Sequence, residues 1–370
     1  MKNVLPQGSV LAPVLFNIYT NDLPATSSRK FIYADDICLG TQAHSFKDLE
    51  STLTSDMELL SDYCLKWRLK PSLTKTVSST FHLHHAKAAR ELAVEMNGQK
   101  LKHAAFPTYL GVTLDRTLTY KEHVTKTAKK LQGRNNLLTK LAGTSWGANA
   151  SVLRSSALAL CYSVAEYCSP VWARSAHTAR LDTQLNATMR LISGTLRPTP
   201  TPWLPVLSNI PPPDLRRKEV KDKLVTKINA HEDWPVFKDL YEPPHKRLKS
   251  RKPIWSDISP TDINAQWKES WKEASAVNSS LVTDPTILQP GFNLPRREWS
   301  LLNRFRTAQG PCGACRKKWR QTDNELCNCG EVQTMSHIVN SCPLTKLEGG
   351  LERLHLVDNV AINWLTSYGV

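Results

Sequence analysis

The chain has 370 residues, 41% of them hydrophobic, which is enough to build ordinary cores in two or three domains. Its 48 Lys and Arg against 33 Asp and Glu leave a formal net charge of +15, and a charge of that sign and size points to a polyanionic partner, nucleic acid before an anionic membrane surface. No stretch stays apolar for the roughly 18 residues a spanning helix needs. Met1–Pro6 leaves no room for a signal peptide, so the nine cysteines are expected to be thiols or metal ligands in an intracellular, reducing compartment, nucleus or cytoplasm, of a protein that is not secreted.

Taken from the N-terminus, Leu5-Pro6-Gln7-Gly8-Ser9 is a Pro/Gly-marked loop that runs into a helix, with Pro13 suited to its first turn, where a missing N–H costs nothing. Gly8 lets the backbone come close to a ligand, and Gln7 offers a donor and an acceptor beside it. Phe31-Ile32-Tyr33 and Ile37-Cys38-Leu39 flank Ala34-Asp35-Asp36, a pattern that predicts a β-hairpin with two exposed carboxylates at its tip, held by buried strands. Adjacent carboxylates on a short turn suit a divalent cation. Phe46, Leu49, Leu53, Met57, Leu60, Cys64 and Trp67 then recur three and four apart, a core-facing helix opened by Ser45 with Asp48 three residues on. Lys75-Thr76 and Tyr109-Leu110-Gly111 follow as polar or glycine-bearing turns.

From Tyr120 the pattern becomes helical. Tyr120, Val124, Thr127, Leu131, Leu138 and Leu141 keep one face, while Lys121, Lys126, Lys129, Lys130 and Arg134 fall beside it, a basic side that can follow a duplex backbone or simply be solvated. Ala157–Val164 is expected as a buried helix rather than a membrane span. Between Pro198 and Pro295, Pro211-Pro212-Pro213 and Pro243-Pro244 predict short helices joined by extended linkers, and the run His245–Lys252 is a candidate phosphate contact or nuclear-import signal. Trp255, Trp267, Trp271 and Trp299 are expected to anchor small satellite cores. Near the C-terminus, Cys312, Cys315, Cys327, Cys329, His337 and Cys342 supply six zinc-type ligands where a tetrahedral site needs four.

In this order and spacing, Pro6-Gln7-Gly8-Ser9, Tyr33-Ala34-Asp35-Asp36, Lys75-Thr76 and Tyr109-Leu110-Gly111 resemble the palm of a reverse transcriptase of the non-LTR (LINE) retrotransposons, jockey-like elements in particular. Glu166-Tyr167-Cys168-Ser169-Pro170-Val171-Trp172 is similar to that family's thumb, so the likeness extends over most of the chain. It implies an α+β fold. An incomplete polymerase palm is expected over residues 1–117, a helical thumb over 118–197, a Pro-rich basic linker with short helices over 198–298, a small zinc-binding segment at 299–346 and a tail at 347–370. The likeness points to Cys327, Cys329, His337 and Cys342 as a CCHC zinc set, although the Cys312/Cys315 spacing suits a zinc knuckle better and leaves Cys312, Cys315, His337 and Cys342 as an alternative. So small and polar a segment is expected to have little core and to draw most of its folding free energy, on the order of 10 kcal/mol, from zinc.

The function implied by the resemblance is RNA-directed DNA synthesis: nucleotidyl transfer from deoxynucleoside triphosphates to a DNA primer or target on an RNA template. Asp35 would bind both of two Mg²⁺ ions, Asp36 would bind one weakly or support the turn, and Lys75 would protonate the leaving pyrophosphate. Pro6, Gln7, Gly8, Ser9, Tyr33 and Ala34 would line template and nucleotide, and Tyr109, Leu110 and Gly111 would grip the primer. Palms of this kind also carry an Asp on a strand that precedes the Pro6-Gln7-Gly8 loop. The expectation is therefore a C-terminal polymerase fragment, inactive alone. The alternative is a non-catalytic RNA- or DNA-binding protein that uses basic thumb helices and a zinc knuckle.

Overall fold

A computed structural model describes residues 8–143, 146–242 and 262–368. Pro6, Gln7, the basic run 245–252 and Trp255 lie outside the described residues. The chain divides into two compact units, one within Met1–His123 and one formed by Val124–Tyr241 with the chain after Pro253.

In the first unit the described strands form four two-stranded pairs rather than one continuous sheet. β1 (Arg29–Tyr33) and β2 (Asp36–Gly40) form an antiparallel hairpin in which Tyr33 faces Asp36. Glu95–Met96 pairs with Gln99–Lys100 and Thr108–Tyr109 with Val112–Thr113, both antiparallel, whereas Val77–Ser78 runs parallel to Lys102–His103. The hairpin is where expected, but its strands are not buried: Phe31, Ile32, Tyr33 and Ile37 are 43%, 47%, 66% and 41% exposed. The reason is topological. Among the described residues β1 and β2 pair only with each other, so no third strand extends the hairpin into a sheet, and within β2 only the Cys38–Gly40 end is half-buried.

Helix Phe46–Lys66 starts as its sequence dictates, with the Ser45 hydroxyl accepting from the Asp48 N–H at 3.1 Å. Phe46, Leu53 and Met57 pack against Leu92, Val94, Met96 and Leu101, the small core of this unit. Helix Ala12–Tyr19 has Pro13 in its first turn and buries no residue. It is moored at its end, where the Tyr63 hydroxyl donates to the Tyr19 carbonyl at 3.1 Å and to Asp22 at 2.9 Å, and the Tyr19 ring meets Trp67 edge-on. Burial, with the Asp22 carboxylate beside it, pushes the Tyr63 phenol up to about 12.

The second unit is helical and closed. Val124, Thr127, Leu131 and Leu138 of helix Lys121–Thr139 are buried and Lys126, Lys129 and Lys130 exposed, while Leu141 lies beyond the helix end and is largely exposed. In the stretch expected as a buried helix, Ala157, Cys161 and Tyr162 are fully enclosed and Leu158–Tyr162 takes a π-turn. Glu166 accepts from Arg216 at 2.8 Å, and Trp172 is buried with its indole N–H on the Tyr167 carbonyl. The Pro-rich stretch holds a seventeen-residue helix, Pro213–Asn229, because Pro213 occupies a first-turn position where proline favours a helix instead of breaking it. Trp203, Val206 and Leu207 form a buried cluster with Trp267, Trp271 and Val282, so the tryptophans here do anchor a core.

The end of helix Ala179–Ser193 shows how the later chain joins the earlier one. Arg296 donates to the carbonyls of Leu191 at 2.6 Å and Ile192 at 2.7 Å, Trp299 to Ile192 at 3.3 Å, and Asn303 to Ser193 at 2.9 Å. Three side chains of helix Arg296–Arg306 thus satisfy the carbonyls that the earlier helix leaves open, and the guanidinium also complements its negative end. Gly194 closes that helix at φ 67°, and a Cβ there would overlap Ser300 at 2.0 Å. The last residues are helical, Gly350–Leu356 and Asn359–Ser367, with Leu354 and Leu365 buried and Trp364 against Phe305.

Candidate functional site

Ala34 and Asp35 make the two-residue turn between β1 and β2, with Ala34 at φ 50°. A non-glycine residue there costs about 1 kcal/mol, so the turn is held under local strain. Asp35 and Asp36 are both exposed, and among the described residues neither makes a salt bridge. The Tyr109 hydroxyl donates to the Phe31 carbonyl at 3.2 Å, which ties the Tyr109-Leu110-Gly111 turn to β1. Burial, then the neighbouring Cys38 and Asp36, push the Tyr109 phenol up. Leu110 at φ 45° and Gly111 at φ 77° form a second tight turn with a non-glycine residue in the left-handed region. The structure thus brings Tyr109, which opens the Tyr109-Leu110-Gly111 turn, against β1 and near Asp36.

Lys75 sits exposed on a turn closed by its N–H and that of Thr76 onto the Ser72 carbonyl, and it makes no hydrogen bond or ion pair with Asp35 or Asp36. Gly8 has φ 88°, and Ser9 opens helix Ala12–Tyr19 by accepting from the Leu11 N–H at 3.3 Å. Neither is joined to the carboxylate turn by a hydrogen bond among the described residues.

A residue that the pattern did not flag holds the hairpin in place. Asp56, buried within helix Phe46–Lys66, accepts from the N–H groups of Ser27 at 2.9 Å and Ser28 at 2.7 Å, immediately before β1. Burial works to raise its carboxyl, but the hydrogen bonds from Ser28 and Ser27, with Lys30 nearby, outweigh it and hold the carboxyl below the usual range. A signal existed: Asp56 lies three residues after Leu53 and four before Leu60, on the apolar stripe itself.

In the second unit, Cys327, Cys329, His337 and Cys342 place one ligand atom each within 4.8 Å of one another. A bridge between Leu326 and Val332 frames the loop, and Gly330, at φ 95°, donates back to the Cys327 carbonyl at 2.8 Å. The Cys327 and Cys342 sulfurs are 3.7 Å apart, and Cys329 sulfur lies 3.2 Å from His337 Nε2. Thiolates at about 2.3 Å from a tetrahedral zinc would be about 3.8 Å from each other, so the spacing fits a metal-binding set and is far too long for a disulfide. A hydrogen bond involving Thr345 leads the effects that pull the Cys342 thiol down to about 6, toward the thiolate a metal needs. Cys312 and Cys315 stay outside the cluster, and burial pushes the Cys312 thiol up. The segment has more core than the little expected: Met335, Ile338, Val339 and Leu347 are buried around it.

Residues 1–114 match the family model described as reverse transcriptase (RNA-dependent DNA polymerase). The chain is 32% identical, over 36% of its length, to a probable RNA-directed DNA polymerase from transposon BS of Drosophila melanogaster, and 32% identical, over 33%, to the RNA-directed DNA polymerase from mobile element jockey of Drosophila funebris. Over 97% of its length it is 24% identical to a putative 115 kDa protein in the type-1 retrotransposable element R1DM of Drosophila melanogaster. These alignments span 16%, 14% and 35% of the respective relatives, so the chain corresponds to a minor part of each. No solved structure matches. No helix among the described residues is long and apolar enough to cross a membrane. Residues 1–114 are a reverse-transcriptase segment, and the chain is related to the RNA-directed DNA polymerases of non-LTR retrotransposons.

Proposed function

We propose that the chain is the C-terminal portion of a retrotransposon RNA-directed DNA polymerase, supplying part of the palm, a thumb and a zinc-binding segment, and that residues 1–370 do not extend a primer alone. The observation that supports this is the hydrogen bond from Tyr109, in the turn we assign to the primer, to the Phe31 carbonyl of the strand that leads to Asp35 and Asp36. Both carboxylates are exposed and make no ion pair among the described residues, so they are free to take a hard metal ion. Magnesium held there would lower the pKa of the primer 3′-hydroxyl and offset charge on the leaving pyrophosphate. No third carboxylate or imidazole joins them in a cluster among the described residues, and two side chains give too few oxygens for a six-coordinate ion. Pro6, Gln7, Gly8, Ser9, Tyr33 and Ala34 are assigned to template and nucleotide, Tyr109, Leu110 and Gly111 to the primer, and Lys75 to proton donation. Cys327, Cys329, His337 and Cys342 are assigned to zinc.

Primer extension tests this reading. With Mg²⁺, an RNA template and a DNA primer, the purified chain gives no product; joined to an upstream segment that carries fingers and a carboxylate-bearing strand, it extends the primer, and Asp35→Ala abolishes extension. Extension by residues 1–370 alone would overturn the proposed dependence, and none after joining would overturn the polymerase assignment.

A second reading rests on Lys126, Lys129 and Lys130, exposed on the helix whose other face is buried. In it the chain binds RNA or DNA without catalysis, through this basic side and the zinc segment. Structured RNA should then bind with an affinity that falls steeply between 50 and about 200 mM salt, and fall further on chelation of zinc.

A further inference from the structure

We propose that Glu331 and Gln333 are positioning residues of the Cys/His centre, fixing the ligand forms of His337 and Cys327 from outside the four-residue set. The inference rests on the zinc assignment above and adds what holds those ligands ready.

His337 is buried and has two ring nitrogens with different surroundings. Nε2 points to Cys329 sulfur at 3.2 Å, in the middle of the cluster. Nδ1 lies 3.0 Å from Glu331 Oε2 and 3.3 Å from the Ser341 hydroxyl. A carboxylate only accepts, so it selects the tautomer with the proton on Nδ1 and leaves the Nε2 lone pair directed at the metal position. A carboxylate behind a ligating imidazole also makes it a better donor. Glu331 is itself well placed, since its backbone carbonyl accepts from the Cys327 N–H at 2.7 Å.

Gln333 acts on the other side. Its Oε1 accepts from the Gly313 N–H at 2.9 Å, which fixes the amide orientation and leaves Nε2 to donate toward Cys327 sulfur at 3.8 Å. Its backbone is clamped as well, donating to Glu325 at 2.8 Å and accepting from Ala314 at 3.0 Å. Gly313 has no room for a side chain, because a Cβ would lie 2.7 Å from the Glu325 carbonyl. The turn that begins at Cys312 therefore serves as the abutment for Gln333, a use of the second cysteine pair's segment that does not require it to bind metal. An N–H aimed at Cys327 sulfur stabilises the thiolate and limits its rotation.

The test is zinc and cobalt titration of the full chain against a competing chelator, with wild type, Glu331→Ala, Glu331→Asp and Gln333→Glu. Gln333→Glu keeps the Oε1 acceptor and the shape but removes the donor and sets a negative charge beside the sulfur. Wild type should bind one equivalent. Glu331→Ala and Gln333→Glu should each weaken zinc binding roughly 10-fold or more and alter the thiolate-to-cobalt absorption band, with Glu331→Asp recovering part of the loss. Glu331 is exposed, so its replacement leaves the fold intact. Wild-type affinity and spectrum in either Glu331→Ala or Gln333→Glu would overturn the proposal, whereas a wild-type chain that takes up no zinc would overturn the metal assignment and this inference with it.

Discussion

The two units of this chain differ in how completely they cover their own apolar residues. Every one of the largest fully enclosed side chains, among them Trp172, Trp203, Trp299, Arg306 and Phe305, belongs to the second unit. In the first, Val10 and Leu11 just before the opening helix, Val14 and Ile18 within it, and Phe31, Ile32 and Tyr33 of the hairpin face solvent. The contrast teaches that the second unit carries its own stability, while the first holds its hairpin chiefly by polar ties, Asp56 to Ser27 and Ser28 and Tyr109 to Phe31. A carboxylate turn built this way is positioned accurately at its base and left accessible at its tip. That suits a site that other surfaces must complete.

Four substitutions break or sharpen this contrast. Trp203→Ala should cost the most, about 3–5 kcal/mol in denaturant unfolding, since it empties the cluster with Trp267 and Trp271 and strands the Val277 carbonyl now held by its indole. Arg296→Met should follow at about 2–3 kcal/mol, because it removes charged donors from Leu191 and Ile192 while keeping the side chain's bulk. In the first unit, Asp56→Ala should cost about 2 kcal/mol and raise amide exchange in Arg29–Tyr33 without touching the second unit. Ser45→Ala should be the mildest, about 1 kcal/mol, read as fraying of the first turn of helix Phe46–Lys66. Equal losses in both units from any one of them would show that the two unfold together.

Acid offers a graded version of the same contrast. The Asp56 carboxyl is lower folded than unfolded, so its contribution is complete above the unfolded value of about 3.9 and is lost as pH falls through the folded one. Exchange protection of the hairpin should drop over that interval in wild type and stay flat in Asp56→Ala. A flat wild-type profile would show that the hairpin does not depend on this carboxylate.

Much of the local architecture was legible because periodicity and turn chemistry act over a few residues. The hairpin around Ala34-Asp35, the Ser45 cap and the buried face of Val124, Leu131 and Leu138 follow from the order of residue types. The Cys/His set was open between two choices, and geometry separates Cys327 and Cys329 from Cys312 and Cys315. What the pattern could not give are partners distant in sequence: Asp56 with Ser28, Arg296 with Ile192, Gln333 with Gly313. Polar residues on an apolar stripe carry the only local hint of such partners. Proline misled for a different reason, since its density before Asp214 suggested an extended linker where Pro213 instead starts a long helix.

The grip of Arg296, Trp299 and Asn303 on the carbonyls of residues 191–193 has a consequence for how this sequence can change. A reading-frame interruption between residues 194 and 295 would not trim away an accessory tail; it would strip the helix Ala179–Ser193 of its cap and unseat Gly194 from Ser300. Any C-terminal part joined to the Ala179–Ser193 helix must therefore bring donors for these carbonyls, or leave a helix end with three unsatisfied oxygens.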